Sequence, residues 1–149
     1  EGNTQASEEE IAQIVLLTQE LLGRTFSAKN KKQRPITWED ILFVAPYNHQ
    51  VNKLKIALGE QAKVGSVDKF QGQEAPIVFL SLCASNANES PRGLNFLFDK
   101  NRLNVAISRA QCMAIVVYSP ALLETVPANV EQIAMMNMFC KLVSVGNCP

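Results

Sequence analysis

The nine residues Ser66-Val67-Asp68-Lys69-Phe70-Gln71-Gly72-Gln73-Glu74 set two carboxylates, an amide pair, a lysine and a glycine between two apolar runs, and Arg109 stands further on. Each type has something to offer a phosphorylated sugar. The planar fork of an arginine donates paired, charge-assisted hydrogen bonds to phosphate oxygens. A glycine lets the main chain come close to a ligand, and a carboxylate such as Glu74 accepts hydrogen bonds from ribose hydroxyls. Plainer roles stand beside these: Arg109 could close a salt bridge to Asp68 or Glu74, and Gly72 could be a turn glycine. Separately they are weak signals; together they call for a ligand carrying both phosphate and sugar.

Other chemistries find no support. The nearest thing to a phosphate-binding loop, Gly59 to Ser66, has five residues between its glycines and no lysine after the second. It therefore fails the G-x-x-x-x-G-K-S/T pattern, and no G-x-G-x-x-G is present. No apolar strand is followed by an obvious magnesium carboxylate, so hydrolysis by this chain alone is not expected. The single histidine, His49, has no cysteine or carboxylate at ligand spacing, which leaves no metal site to propose. His49 reads as a polar residue near a helix start. A G-x-S-x-G nucleophile elbow is also missing.

The elements that must position Arg109 and the 66–74 stretch follow from apolar patterning. With 149 residues and 47% hydrophobic side chains, the chain can bury one good core, so residues 1–149 are expected to form a single domain. Ile11, Ile14, Val15, Leu17, Leu21 and Leu22 mark a helix from Glu8 to Leu22, with Ser7 as N-cap and Glu10 as its capping-box partner. Residues 24–35 hold Arg24, Lys29, Lys31, Lys32 and Arg34 with little that is apolar. They read as an exposed basic loop, either solvated or in contact with a partner. Ile41–Ala45, ended by Pro46, is a strand buried on both faces. A helix through Val51, Leu54 and Leu58 closes at Gly59. Val64–Val67 and Ile77–Leu82 are strands, residues 84–99 form a loop insert, and Asn101–Ala110 is helical. Met113–Tyr118 is another buried strand, and Val130–Val143 is the last helix. Apolar strands alternating with helices predict an α/β fold with a mostly parallel sheet covered on both faces. In such sheets ligands gather at the carboxyl ends of the strands.

Totals narrow the setting. Fourteen basic and fourteen acidic side chains cancel, which argues against a polybasic binder and leaves any nucleic-acid contact to a local site. Cys83, Cys112, Cys140 and Cys148 contain no C-x-x-C pair and are expected to be reduced thiols of an intracellular protein. No apolar run approaches the roughly 20 residues of a membrane span, and the first residues are polar and acidic. A cytoplasmic chain without a membrane partner is expected. It begins at Glu1 and runs straight into a helix pattern, as a piece of a longer protein would.

Three motifs then fall into a known order. Ser66–Glu74 resembles motif V of superfamily-1 helicases, T/S-V-D-x-F-Q-G-x-E. Asn101–Ala110 resembles their motif VI, R-L-N-V-A-x-S/T-R-A, and Ala45-Pro46-Tyr47-Asn48-His49-Gln50 resembles the P-Y-x-x-Q that follows the first strand. The flavour is that of the Upf-like branch, and Pro91-Arg92-Gly93-Leu94 is similar to bacterial members fused to a RecB-like nuclease domain. The resemblance implies a RecA-like three-layer sandwich, the second of two motor domains, with ATP in the cleft between them. It places the phosphate loop and the magnesium ligands in the first domain, along with a Tyr-Arg pair that is absent before residue 40 here. By the same resemblance Arg109 is an arginine finger on the γ-phosphate, Gly72 and Glu74 meet phosphate and ribose, and Gln71 couples nucleotide to strand. Pro46, Tyr47, Asn48 and Ser66 would touch the backbone of single-stranded nucleic acid, DNA ahead of RNA, and Asp68 would order the motif V turn. Partners implied are that first domain, the strand and a fused nuclease. A non-catalytic docking or nucleic-acid-binding module that kept the fold is the rival reading.

Overall fold

A computed structural model describes residues 7–27, 32–82 and 99–146. Helix α1 (Glu8–Leu21) starts at Ser7, whose hydroxyl accepts from the Glu10 N–H at 3.2 Å, and three glutamates occupy its first turn. Both features suit the positive end of a helix. The expected reciprocal half of a capping box is not made. The Ser7 N–H donates to Oε1 of Gln50 at 2.9 Å, while the Glu10 carboxylate is buried and accepts from Ser81 Oγ at 2.5 Å. A distant amide has taken the place that the local pattern gave to Glu10.

The basic segment is not simply a loop. Strands β1 (Thr25–Ser27) and β2 (Gln33–Pro35) pair antiparallel as a small ribbon. Arg34 lies 4.6 Å from the centre of the Phe26 ring and donates from its two terminal nitrogens to both oxygens of Asp40, at 2.7 and 2.5 Å. Of the basic residues singled out there, Lys29 and Lys31 lie outside the described residues, as do Cys83, Cys148 and all of the 84–99 insert but Asp99.

Four parallel strands form the main sheet in the order β4-β3-β5-β6: β3 (Ile41–Val44), β4 (Lys63–Gly65), β5 (Ala75–Ser81) and β6 (Ala110–Val117). Side chains alternate across it. Ile41, Phe43, Ile77 and Phe79 pack with α1 and with α2 (Asn48–Leu58) on one face, where Phe43 and Phe79 stack at 5.2 Å. Leu42, Val44, Val78 and Leu80 face the other way, against α3 (Lys100–Ser108), α4 (Val130–Val145) and Phe70. This is the three-layer α/β arrangement of a RecA-like domain.

Element boundaries around the 66–74 stretch and Arg109 differ from the expected ones for a physical reason. The third buried strand begins at Ala110, because Ala110 already pairs with Ala75, and so the helix before it ends at Ser108. Val64–Val67 is cut short at Gly65, after which the chain leaves the sheet for a 3-10 turn at Asp68–Phe70. The expected burial of the third strand fails as well. β6 has β5 as its only neighbour among the described residues, and Met113 is 41% exposed.

The Arg34–Asp40 pair gives a pH test. Hydrogen bonds from Arg34, helped by Thr37 and opposed by burial, hold the Asp40 carboxyl below its ordinary value. A carboxyl depressed in the folded state lends stability above its unfolded pKa, and that stability is lost as pH falls through the folded value. In urea melts, wild-type stability should decline as pH drops below about 4. Asp40→Asn should be less stable at neutral pH and show a shallower decline. Equal slopes would remove this pair from the acid response.

Candidate functional site

The 66–74 stretch is the connection from β4 to β5, and those strands flank β3, so it crosses the face of β3. Because all the strands are parallel, it must run from their carboxyl ends back to their amino ends. Seven residues of β5 at ~3.3 Å each make that a path of roughly 20 Å. Phe70, 4% exposed, sinks into the core beside Leu42, Val44 and Leu80, and Lys69 Nζ donates to the Val64 carbonyl at 3.0 Å. These two side chains hold the crossing in place. Ser66 is left at the carboxyl end, near Pro46 and Asn48, which follow β3, while Gln71, Gly72 and Glu74 arrive at the amino end.

At that amino end the Ala75 N–H donates to the Arg109 carbonyl at 3.0 Å, so Glu74 and Arg109 leave the sheet as neighbours. Neither salt bridge open to Arg109 is formed. Its Nε is buried without a hydrogen-bond partner, and none of the ion pairs among the described residues includes it. Glu74 accepts instead from Gln111 Nε2 at 3.2 Å. Arg109 lines a cleft of about 220 Å³ with Asp68, Gln71, Asn101 and Arg102, bordered by Val67 and Val105. That volume lies below the range of about 300–1,000 Å³ usual for whole-ligand pockets.

Asn101, Arg102 and Asp68 are members of this cleft to which the motifs gave no ligand. Arg102, Val105 and Arg109 are spaced by three and four residues, the interval that aligns side chains along a helix; that signal was available. Asp99 caps α3, accepting from the N–H groups of Asn101 at 2.8 Å and Arg102 at 3.4 Å, which fixes the helix start at the cleft. Asp68 orders its turn through its main chain, whose carbonyl accepts from the Gln71 N–H at 3.3 Å, and the residue lines the cleft.

The sequence profile of a family described as an AAA domain matches residues 1–121. The chain belongs to this family. Its relatives include proteins named as helicases. It is 37% identical over 110 residues to the mouse (Mus musculus) RNA helicase Mov10l1, 69% of this chain and 9% of that protein. To the DNA polymerase alpha-associated DNA helicase A of Schizosaccharomyces pombe it is 45% identical over 74 residues, 48% of this chain and 11% of that one. To the putative helicase mov-10-B.1 of Danio rerio it is 34% identical over 105 residues, 60% and 10% respectively. The AAA domain thus spans about a tenth of the length of the relatives it matches.

Two expectations for this helicase-family AAA domain change with its geometry. The candidates Arg109 and Glu74 sit at the amino ends of their strands, although the general rule for such sheets favours the carboxyl ends, where Pro46, Tyr47, Asn48 and Ser66 lie. Tyr47, expected at a nucleic-acid surface, is 5% exposed and packs into the core with Leu42 and Phe70. Its ring is buried where α2 begins, beside the sheet. His49 is exposed on the first turn of α2. Among the described residues no three His, Cys, Asp or Glu side chains converge to cage a metal ion.

Gly72 has φ +81° and nothing within 4 Å of where a Cβ would stand. The backbone conformation, rather than crowding, requires glycine here. Gly72→Ala should cost about 1–2 kcal/mol, the strain of a left-handed residue, read as a lowered urea midpoint. A neutral result would show that the turn relaxes.

Proposed function

We propose that this AAA domain is the second motor domain of an ATP-dependent helicase and that Arg109 is its arginine finger. What carries the reading is the unpartnered Arg109 guanidinium, its Nε buried, on a cleft shared with Gln71 and Arg102. The names of the relatives supply the context: they include both RNA and DNA helicases.

The chemistry follows from what these residues can do. Phosphoryl transfer is accelerated mainly by positioning and charge stabilisation. Arg109 is held at both ends of its main chain: its N–H bonds to the Ala106 carbonyl at 3.3 Å and its carbonyl accepts from Ala75. With its main chain so anchored, Arg109 has only its side-chain torsions to set in order to meet a γ-phosphate. ATP, when bound, supplies the phosphoryl group that Arg109 would stabilise, and Arg102 adds a second positive charge to the same cleft. Gly72 and Glu74 would border the phosphate and ribose side, where Gln111 already orients the Glu74 carboxylate. Magnesium would be held mainly by a first RecA-like domain that also supplies the phosphate loop.

An arginine supplied from a second domain acts only when the cleft between the domains is closed. Closure and reopening would shift the carboxyl-end surface, with Pro46, Asn48 and Ser66, along a single strand of nucleic acid. Gln71 sits on the nucleotide side of a connection whose other end is Ser66, the arrangement that coupling needs.

In the full-length protein Arg109→Ala should lower the ATPase kcat by about 10³-fold or more, as for other arginine fingers. An unchanged kcat would remove the finger assignment. The isolated chain should bind ATP weakly in titration and not turn it over. Tight binding would point to a self-contained nucleotide regulator, and oligonucleotide binding with no ATPase role for Arg109 would point to a docking module.

A further inference from the structure

Behind the carboxyl-end loop lies a chain of buried hydrogen bonds that the motor chemistry does not use. Gln50 and Ser81 are 0% exposed and Glu10 is 3% exposed. Gln50 Oε1 accepts from the Ser7 N–H at 2.9 Å, and its Nε2 donates to Ser81 Oγ at 3.0 Å and, at 3.5 Å, towards the Ser7 carbonyl. Ser81 gives its only proton to Glu10 Oε2 at 2.5 Å. The direction is therefore fixed. Turning the Gln50 amide over would set its NH2 against the Ser7 N–H and its oxygen against a hydroxyl whose proton is already committed.

Three elements meet in this chain: the cap of α1, the first turn of α2 and the last residue of β5. Apolar side chains of similar shape would fill such a site at little net cost in stability. What polar groups add is a single permitted arrangement. Gln50 lies two residues beyond Asn48 and four beyond Pro46, and Ser81 closes the strand at the same end of the sheet. The pair between Lys53 and Glu8 also joins α2 to α1, but an exposed ion pair holds orientation weakly.

We infer that the Ser7–Gln50–Ser81–Glu10 chain sets the orientation of the Pro46–Asn48 loop for nucleic acid, with Gln50 as its positioning residue. This rests on the helicase reading above, and touches only the nucleic-acid side of it. The nucleotide cleft is at the opposite ends of the strands, so disturbing this chain should leave it alone.

The test uses the full-length protein, with ATPase measured without nucleic acid and over a titration of single-stranded oligo(dT) and, separately, oligo(U). Gln50→Met and Ser81→Ala should each raise the half-saturating oligonucleotide concentration by about tenfold, the size of one or two modest hydrogen bonds. ATPase without oligonucleotide and turnover at saturation should be unchanged. The double variant should be no worse than the more affected single, since both break one chain. Circular dichroism and a thermal melt accompany each variant. A folded Gln50→Met protein with wild-type half-saturation overturns the inference. A Gln50→Met protein that does not fold also overturns it, by making the chain a determinant of folding. If neither oligonucleotide stimulates the wild type, the helicase reading itself fails, an outcome distinct from a normal wild type with an unaffected variant.

Discussion

The bond from the Ala75 N–H to the Arg109 carbonyl opens the β5–β6 ladder, and the arrangement of the candidate nucleotide side depends on it. In a parallel pair the residues just before the paired positions leave the sheet together. Glu74 and Arg109 are those residues here. The register shifts between Ala75 and Ile77, an irregularity of the kind that bends a strand locally and redirects side chains. One such hydrogen bond is worth only about 1 kcal/mol net. Its importance is geometric, since the buried strand β5 behind it, flanked by β3 and β6, makes the position of Arg109 a property of the core.

The same sheet separates the two groups of candidate residues by its own length, and residues 66–74 join them. Phe70 is the fixed point of that crossing, buried among residues of β3 and β5. On one side of it lies Ser66 and on the other Gln71, Gly72 and Glu74. A displacement of the main chain at either end has to be absorbed within a few residues of a side chain that cannot move freely. This is a short, packed connection between the two candidate groups, and it involves no long helix or flexible linker.

What the sequence shows of this structure divides by the range of the interactions involved. Continuous apolar runs reveal β3 and β5, because strands buried on both faces have no polar side to alternate. Periodicity and a serine cap reveal α1 for equally local reasons. The Glu10 capping box failed because its rival, Gln50, lies 43 residues from Ser7. The ribbon at 25–35 was hidden because Arg34 reads as solvated until Phe26 and Asp40 are placed beside it. β6 carries the same apolar pattern as a central strand, and only the strand order shows it at the edge of the sheet among the described residues. Of the cleft, Arg109 and Gln71 were legible through their motifs, as was Glu74 beside it. Arg102 was equally legible by its helical spacing from Arg109, but Asp68 joins only through the path of the crossing.

Two arginines of this chain serve as each other's control. Arg34 spends its guanidinium on both oxygens of Asp40 and rests on an aromatic ring, and so its presence is accounted for within the fold. Arg109 has a main chain bonded on both sides and a buried Nε, yet gives that Nε nothing to bond. Leaving a buried donor unsatisfied costs about 1–3 kcal/mol. An apolar side chain would avoid that cost, and a carboxylate placed as Asp40 is for Arg34 would offset it. The fold does neither, although Glu74 is the adjacent residue across the ladder and is held instead by Gln111. A donor kept in place, with its Nε buried and no internal acceptor, is what the proposed contact with a phosphate requires, and Asp68 and Arg102 line the same cleft.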